Sequence, residues 1–392
     1  MRRRNVFRFF LAVTILAASS PAEPRAASFR GLNDPVDTRV GTGFTWALGV
    51  SADGAVAVGY SQTEWETEDG PATAFRWDAR QGMVPLVNGT QPVAVAVSGD
   101  GSVIVGEHSV WEGSVLGVTL DCERPCSVRG ITDVSVDGST IVGAGTITAG
   151  GLGSDRRQAL RWDASRTVTI LSHDTLETRA LGVSDDGSVV VGALMDGLDS
   201  QAARWDAEQG WVGLTLPSGE APLPDSRATG VSADGSIVVG RFWDPEVGNR
   251  AFRWDAEHGM VALDLASGGL DQSTAERVSA DGSIVVGYSG ADLVYGPSLR
   301  AVYWDAAGAM HDLNVVLPAL GVDLAGWTLV SAHDVSADGR TFVGVGINPS
   351  GSAEAWIAVI PEPGTAILLA LGLAALAQAP PRSRGGPARP DV

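Results

Sequence analysis

One ten-residue phrase constrains this chain more than any other feature. V-S-x-D-G-x-x-x-x-G occurs seven times without a mismatch, beginning at Val50, Val97, Val134, Val183, Val231, Val278 and Val335. Such recurrence marks a repeat architecture, in which each unit buries its apolar face only against its neighbours. The chemistry of the phrase is that of a hairpin. Ser at position i, Asp at i+2 and Gly at i+3 suit a type I turn closed by a glycine in the left-handed region. The expected turn residues are Asp53-Gly54, Asp100-Gly101, Asp137-Gly138, Asp186-Gly187, Asp234-Gly235, Asp281-Gly282 and Asp338-Gly339. The run after each turn, such as Ser236-Ile237-Val238-Val239, is largely β-branched and apolar on both faces. It predicts a strand covered on both sides.

Past its second glycine every unit continues alike. A variable loop leads to a short strand ending in Trp, then an acidic residue, a turn and an apolar strand. The Trp positions are Trp77, Trp111, Trp162, Trp205, Trp254, Trp304 and Trp356. Unit two fits once its loop is shortened, with Ser109-Val110-Trp111-Glu112 followed by Val115-Leu116-Gly117-Val118. Four short strands in roughly 40–50 residues is the period of a propeller blade. The expected fold is therefore all-β: a seven-bladed β-propeller of four-stranded meanders over residues 28–360, with the Trp residues filling the space between blades. Unit seven ends at Val359 without a fourth strand, while Ser28-Phe29-Arg30-Gly31-Leu32 resembles one left over at the start. A ring cut between strands three and four would look like this, so Phe29–Leu32 is expected to pair with Ala355–Val359 and close the circle.

Composition bounds the partners. The formal charge is −19, and all 27 cationic side chains are Arg, many of them near the two ends. The repeat domain is thus acidic, and nucleic acid is excluded as a partner because binding it needs clustered cations. The start, Arg2-Arg3-Arg4 followed by an apolar run from Val6 to Ala18, has the layout of a secretory signal peptide over residues 1–22. In an exported chain Cys122 and Cys126 are read as a disulfide pinching a turn. A metal site is the alternative, but two thiols with no nearby His cannot complete a tetrahedral shell.

The last segment, residues 361–392, carries Pro361-Glu362-Pro363, an apolar stretch from Ala366 to Ala379, and then Arg382, Arg384 and Arg389. These three parts in this order resemble the PEP-CTERM sorting signal of Gram-negative bacteria. The resemblance implies export machinery and an exosortase as partners, with delivery to the outer surface or extracellular matrix. Read physically, a short apolar tail followed by Arg is a transient membrane anchor. The units themselves, A-x-R-W-D-x-x-x-G-M-V-x-L followed by G-V-S-x-D-G-S-x-V-V-G, resemble the HAF family of extracellular repeats. That likeness implies fold and location, and no chemistry.

No residue pattern specifies a reaction. The Gly-x-Ser of Gly182-Val183-Ser184 lacks the glycine that a nucleophile elbow needs two residues after Ser. One Asp per turn falls short of calcium's six to eight oxygens, and neither a metal nor a cofactor is expected. The histidines are scattered, with His333-Asp334, directly before a phrase, the one pair to watch. Glu64, Glu66, Glu68 and Asp69 form an acidic loop, read as a solvated face with a cation site as the alternative. No catalytic residue is assigned. The functional reading is a non-enzymatic exported protein presenting loops to polysaccharide or another surface protein. The rival is a polysaccharide-acting enzyme with carboxylates from different blades meeting at the central opening.

Overall fold

The computed structural model describes residues 26–32, 44–62, 72–86, 93–122, 126–148, 155–197, 199–216, 225–265, 272–291 and 298–361. The signal peptide, the acidic loop at Glu64–Asp69, and the sorting tail from Glu362 onward lie outside these residues.

Seven four-stranded antiparallel sheets follow one another around a ring, as the period of the sequence predicts. Blades 1 to 6 occupy residues 44–85, 94–119, 126–171, 177–213, 226–262 and 272–312. The seventh takes three strands from residues 328–359 and its fourth from Ser28–Gly31. Ser28, Phe29, Arg30 and Gly31 pair with Val359, Ala358, Ile357 and Trp356, and Leu32 N–H donates to the Ala355 carbonyl at 2.9 Å. The ends of the array are thus joined within one sheet, which leaves no open blade edge at the seam.

Each phrase forms the hairpin between the first and second strands of its blade, and the buried Ser is its keystone. In all seven turns the Ser hydroxyl donates to the Asp carboxylate at 2.6–2.8 Å. The same oxygen accepts the N–H five residues on at 2.9–3.0 Å. The Asp accepts the N–H two residues after it. These bonds satisfy backbone groups that the turn would otherwise bury unpaired. The two glycines answer to different constraints. Gly235 has φ +73°, and a Cβ there would lie 2.5 Å from Val189 Cγ2 of the preceding blade. Gly240 has an ordinary φ, but a Cβ would lie 2.0 Å from the Arg227 carbonyl oxygen across the sheet.

That close approach arises from a bulge. The first strand of every blade shifts register two or three residues before its phrase, as between Ala47 and Gly49 or Ala275 and Arg277. The extra residue kinks the strand and re-aims its side chains. The turns of successive blades are also linked to one another. Ala52, Gly99, Asp185, Ala233, Ala280 and Ala337 each donate a backbone N–H to the corresponding residue of the next blade at 2.8–3.2 Å, the last returning to Ala52.

The core is divided into seven clusters, each combining one blade with its predecessor. Trp111 of blade 2 packs with Val56, Val58, Ala74 and Leu86 of blade 1, and Trp77 of blade 1 with Val343, Ala355 and Ile357 of blade 7. Trp205 and Trp254 occupy the same rank but stay partly exposed. A short helix, Leu313–Ala319, lies between blades 6 and 7, where the repeat spacing is longest. Asp312 caps it by accepting from Asn314 N–H, and Leu313 and Leu317 bury against Tyr303 and Leu329. The meander pattern carries no sign of this helix. Cys122 and Cys126 are joined as a disulfide, with Cα atoms 5.5 Å apart.

Candidate functional site: the central funnel

The first strands of the seven blades surround a central passage, and the bulges decide what faces it. The residue immediately before each phrase is Gly49, Ala96, Asp133, Gly182, Gly230, Arg277 or Asp334. Four of these are small, and the other three are a cation and two carboxylates from blades 6, 3 and 7. They meet in a constriction of about 110 Å³ that also contains Asp185 from the turn ring.

Each carboxylate fastens two blades. Asp133 accepts the N–H of Val134 at 2.9 Å through Oδ1 and that of Val183 in blade 4 at 3.1 Å through Oδ2. Asp334 accepts Val335 N–H at 2.8 Å and Val50 N–H in blade 1 at 2.8 Å. Arg277 donates to the carbonyls of Thr229 in blade 5 at 2.7 Å and of Glu276 at 3.1 Å, which holds its guanidinium against the neighbouring blade. Burial works against its charge, but Asp133, Asp334 and Glu276 outweigh it, and its pKa is raised.

These side chains are surrounded by protein, yet they retain contact with the water of the passage. Enclosure pushes the Asp334 carboxyl up to about 7, against the pull of Arg277 and two N–H donors. Asp133, Glu276 and Asp185 are shifted upward for the same first reason. His333 is pushed down to about 4 by enclosure and by Arg277, so its ring is neutral at physiological pH. Its Nε2 lies 3.0 Å from the Ser331 hydroxyl.

Above this constriction the passage widens to a funnel of about 650 Å³, with Arg277 at the boundary of the two. Val95, Thr132, Leu181, Thr229 and Glu276, all residues at the bulges, form its lower wall. The Thr132 and Thr229 hydroxyls donate to the Ala180 and Ala275 carbonyls of the next blades at 3.1 and 2.7 Å. Higher up stand Arg129, Arg157 and Arg179, with Glu107 on the blade 2 side. Arg129 Nε donates to Thr146 Oγ1 at 2.8 Å.

Of the residues singled out in the sequence, Asp334 and Val183 line this passage, and His333 stands close enough to feel the charge of Arg277. The seven turn Asp residues stay in their own hairpins, and the disulfide forms part of the core shared by blades 2 and 3. Among the described residues no group of His, Cys, Asp or Glu side chains is placed to hold a metal ion. Sequence reading missed Asp133, Arg277 and the arginine wall. Aligning the units one residue upstream of the phrase shows a position that is small in four blades and charged in three, which is the signal that could have found the triad. Among the described residues no helix is long and apolar enough to cross a membrane.

No protein-family model matches this sequence, and no curated protein does. Solved structures share the fold. Puromycin hydrolase is 15% identical with a TM-score of 0.54, over 84% of this chain and 54% of that one. An oligogalacturonate lyase from Vibrio parahaemolyticus is 13% identical with a TM-score of 0.49, over 86% and 98%. TolB from Acinetobacter baumannii is 12% identical with a TM-score of 0.42, over 79% and 65%. This chain therefore spans about half the length of the hydrolase and about two thirds of TolB. At such identities the likeness concerns architecture alone: the chain is a seven-bladed β-propeller.

Proposed function

We propose that this protein is an exported, non-enzymatic propeller that binds an extracellular ligand at its central funnel. One observation carries the reading. Asp133 and Asp334, the two carboxylates that the first strands turn into the passage, each have one oxygen engaged by the N–H of the following residue and the other by an N–H of the neighbouring blade. A general acid or nucleophile needs a free oxygen facing substrate. These hold blades together instead, and they leave the funnel above them as a cup for recognition. The layout of residues 1–22 and the Pro361-Glu362-Pro363 segment support export and exosortase-dependent delivery to the outer surface or matrix of a Gram-negative cell. The ligand on this reading is extracellular polysaccharide or another surface protein. Incubating the purified protein with an array of bacterial glycans tests it. Saturable binding with the glycan recovered intact is the expected result, and shortened or otherwise altered glycan would overturn the reading.

A further inference from the structure

The basic groups of this acidic chain are not evenly spread. Against an overall charge of −19, the funnel lining holds four arginines and two glutamates. The arginines come from blades 3, 4 and 6, and Arg227 of blade 5 stands at the rank that Arg179 holds in blade 4. One of the two glutamates, Glu276, faces Arg277 and Arg241.

Most arginines of the described residues have a side-chain partner, a carboxylate in Arg76–Asp78, Arg204–Asp206 and Arg250–Asp244 and a backbone carbonyl for Arg166 and Arg253. At the edge of the funnel group Arg227 is paired with Asp225 at 3.6 Å, whereas two of the funnel arginines are not paired. Among the described residues the Arg157 and Arg179 side chains have no hydrogen-bond or ion-pair partner, although Arg179 is half-buried. Burial pulls the Arg179 pKa down first, and the neighbouring charges of Arg227 and Arg157 add to it. Like charges held side by side in a concave wall raise the energy of the empty site, and an entering anion removes that cost. The guanidinium fork matches the planar oxygens of carboxylate and the oxygens of sulfate with two parallel bonds. A funnel of about 650 Å³ lies within the ~300–1,000 Å³ of ordinary ligand pockets.

We propose that the funnel wall over blades 3 to 5 is an oxyanion site: Arg157 and Arg179, flanked by Arg129 and Arg227, hold a carboxylate or sulfate group carried by an acidic saccharide. This rests on the binding reading above and names the class of ligand. The overall acidity excludes long polyanions from most of the surface while the funnel admits one anionic group at a time. Specificity then comes from the depth of the funnel, closed below by Arg277.

Calorimetric titration of the full chain tests the site, with trigalacturonate, inorganic sulfate and neutral galactotriose as probes. Trigalacturonate is expected to bind, to be competed by sulfate, and to weaken as salt is raised. The double variant Arg157→Gln/Arg179→Gln is expected to lose about tenfold or more in affinity, as for removal of charge-assisted hydrogen bonds. Its melting temperature should be unchanged or higher, because it relieves repulsion. Arg80→Gln, on an exposed turn of blade 1, should leave binding unchanged. Galactotriose binding as tightly as trigalacturonate would overturn the oxyanion site while leaving the binding reading intact. Trigalacturonate binding that survives the double variant would also overturn it, as would no binding of any probe. Cleavage of trigalacturonate that depends on Arg157 and Arg179 would support the site and sink the non-enzymatic reading.

Discussion

Asp334 accepts the backbone N–H of Val50 at 2.8 Å, a bond that spans 284 residues of sequence and fastens the last blade to the first. Asp133 makes the same bond to Val183 between blades 3 and 4. A ring of blades is held mainly by apolar contact between flat sheets, which is weakly directional. A carboxylate that caps an N–H of the neighbouring blade fixes the relative height of the two. It also leaves a charge in an enclosed passage, which Arg277 offsets.

The pH dependence of the Asp334 bond follows. The folded pKa of about 7 lies above the ordinary Asp value, so its contribution to stability is fully present near pH 4 and is lost as pH rises through 7. His333 has the opposite sense: its folded pKa of about 4 lies below the ordinary value, so its contribution is present above pH 6.5 and is lost as pH falls toward 4. Asp133, Asp185, Glu276 and Arg277 face the same passage; Arg277 acts on both groups and Asp133 on Asp334. In urea unfolding between pH 4 and 8, the deficit of Asp334→Asn should shrink as pH rises. The deficit of His333→Gln should shrink as pH falls. Parallel slopes for the two variants would contradict the assignment.

The turn network makes a comparison within one hairpin. Ser184 is fully buried, and its hydroxyl accepts Val189 N–H at 3.0 Å while donating to Asp186 at 2.7 Å. Ser188 donates to the same Asp186 oxygen at 2.7 Å from an exposed position. Ser184→Ala strands a buried N–H and is expected to cost about 1–3 kcal/mol, against less than about 0.5 kcal/mol for Ser188→Ala. Equal shifts in the denaturation midpoint would show that the keystone role is wrongly placed.

Two glycines separate backbone strain from crowding. Gly235 and Gly210 have φ of +73° and +70°, but a Cβ at Gly210 meets nothing within 4 Å, whereas at Gly235 it meets Val189. Gly210→Ala should lose about 1 kcal/mol from conformation alone, and Gly235→Ala roughly 2–4 kcal/mol. Adding Val189→Ala should return part of the second loss and none of the first. Thermal melts of the four variants measure this.

Closure of the ring is open to a covalent test. Leu32 N–H donates to Ala355, so in this register Phe29 and Ala358 form one of the closer, non-hydrogen-bonded pairs. The variant Phe29→Cys/Ala358→Cys should form an intramolecular disulfide on mild oxidation of the native protein. It should then melt higher, since the bond closes nearly the whole domain. Thiols that stay free in the native state would argue for an open array.

The sequence by itself determined the repeat, the number of blades, the hairpin chemistry and the seam. Each of these rests on local rules or on counting: Ser184, Asp186 and Gly187 specify a turn wherever they occur, and a strand left over at Phe29 implies one missing after Val359. The passage was another matter. Asp133, Arg277 and Asp334 are some 50 to 200 residues apart, and each looks unremarkable in its own strand. Only the bulges, which turn one residue per blade inward, and the ring, which brings seven first strands together, make them neighbours. The arginine wall has the same origin. Net charge is a sum over the chain, whereas the potential in a funnel depends on which few side chains the fold gathers there and how far it shields them from water. An acidic protein can therefore carry a cationic site, because the packing of blade 4 against blade 3 sets Arg157 and Arg179 side by side at one wall of the funnel.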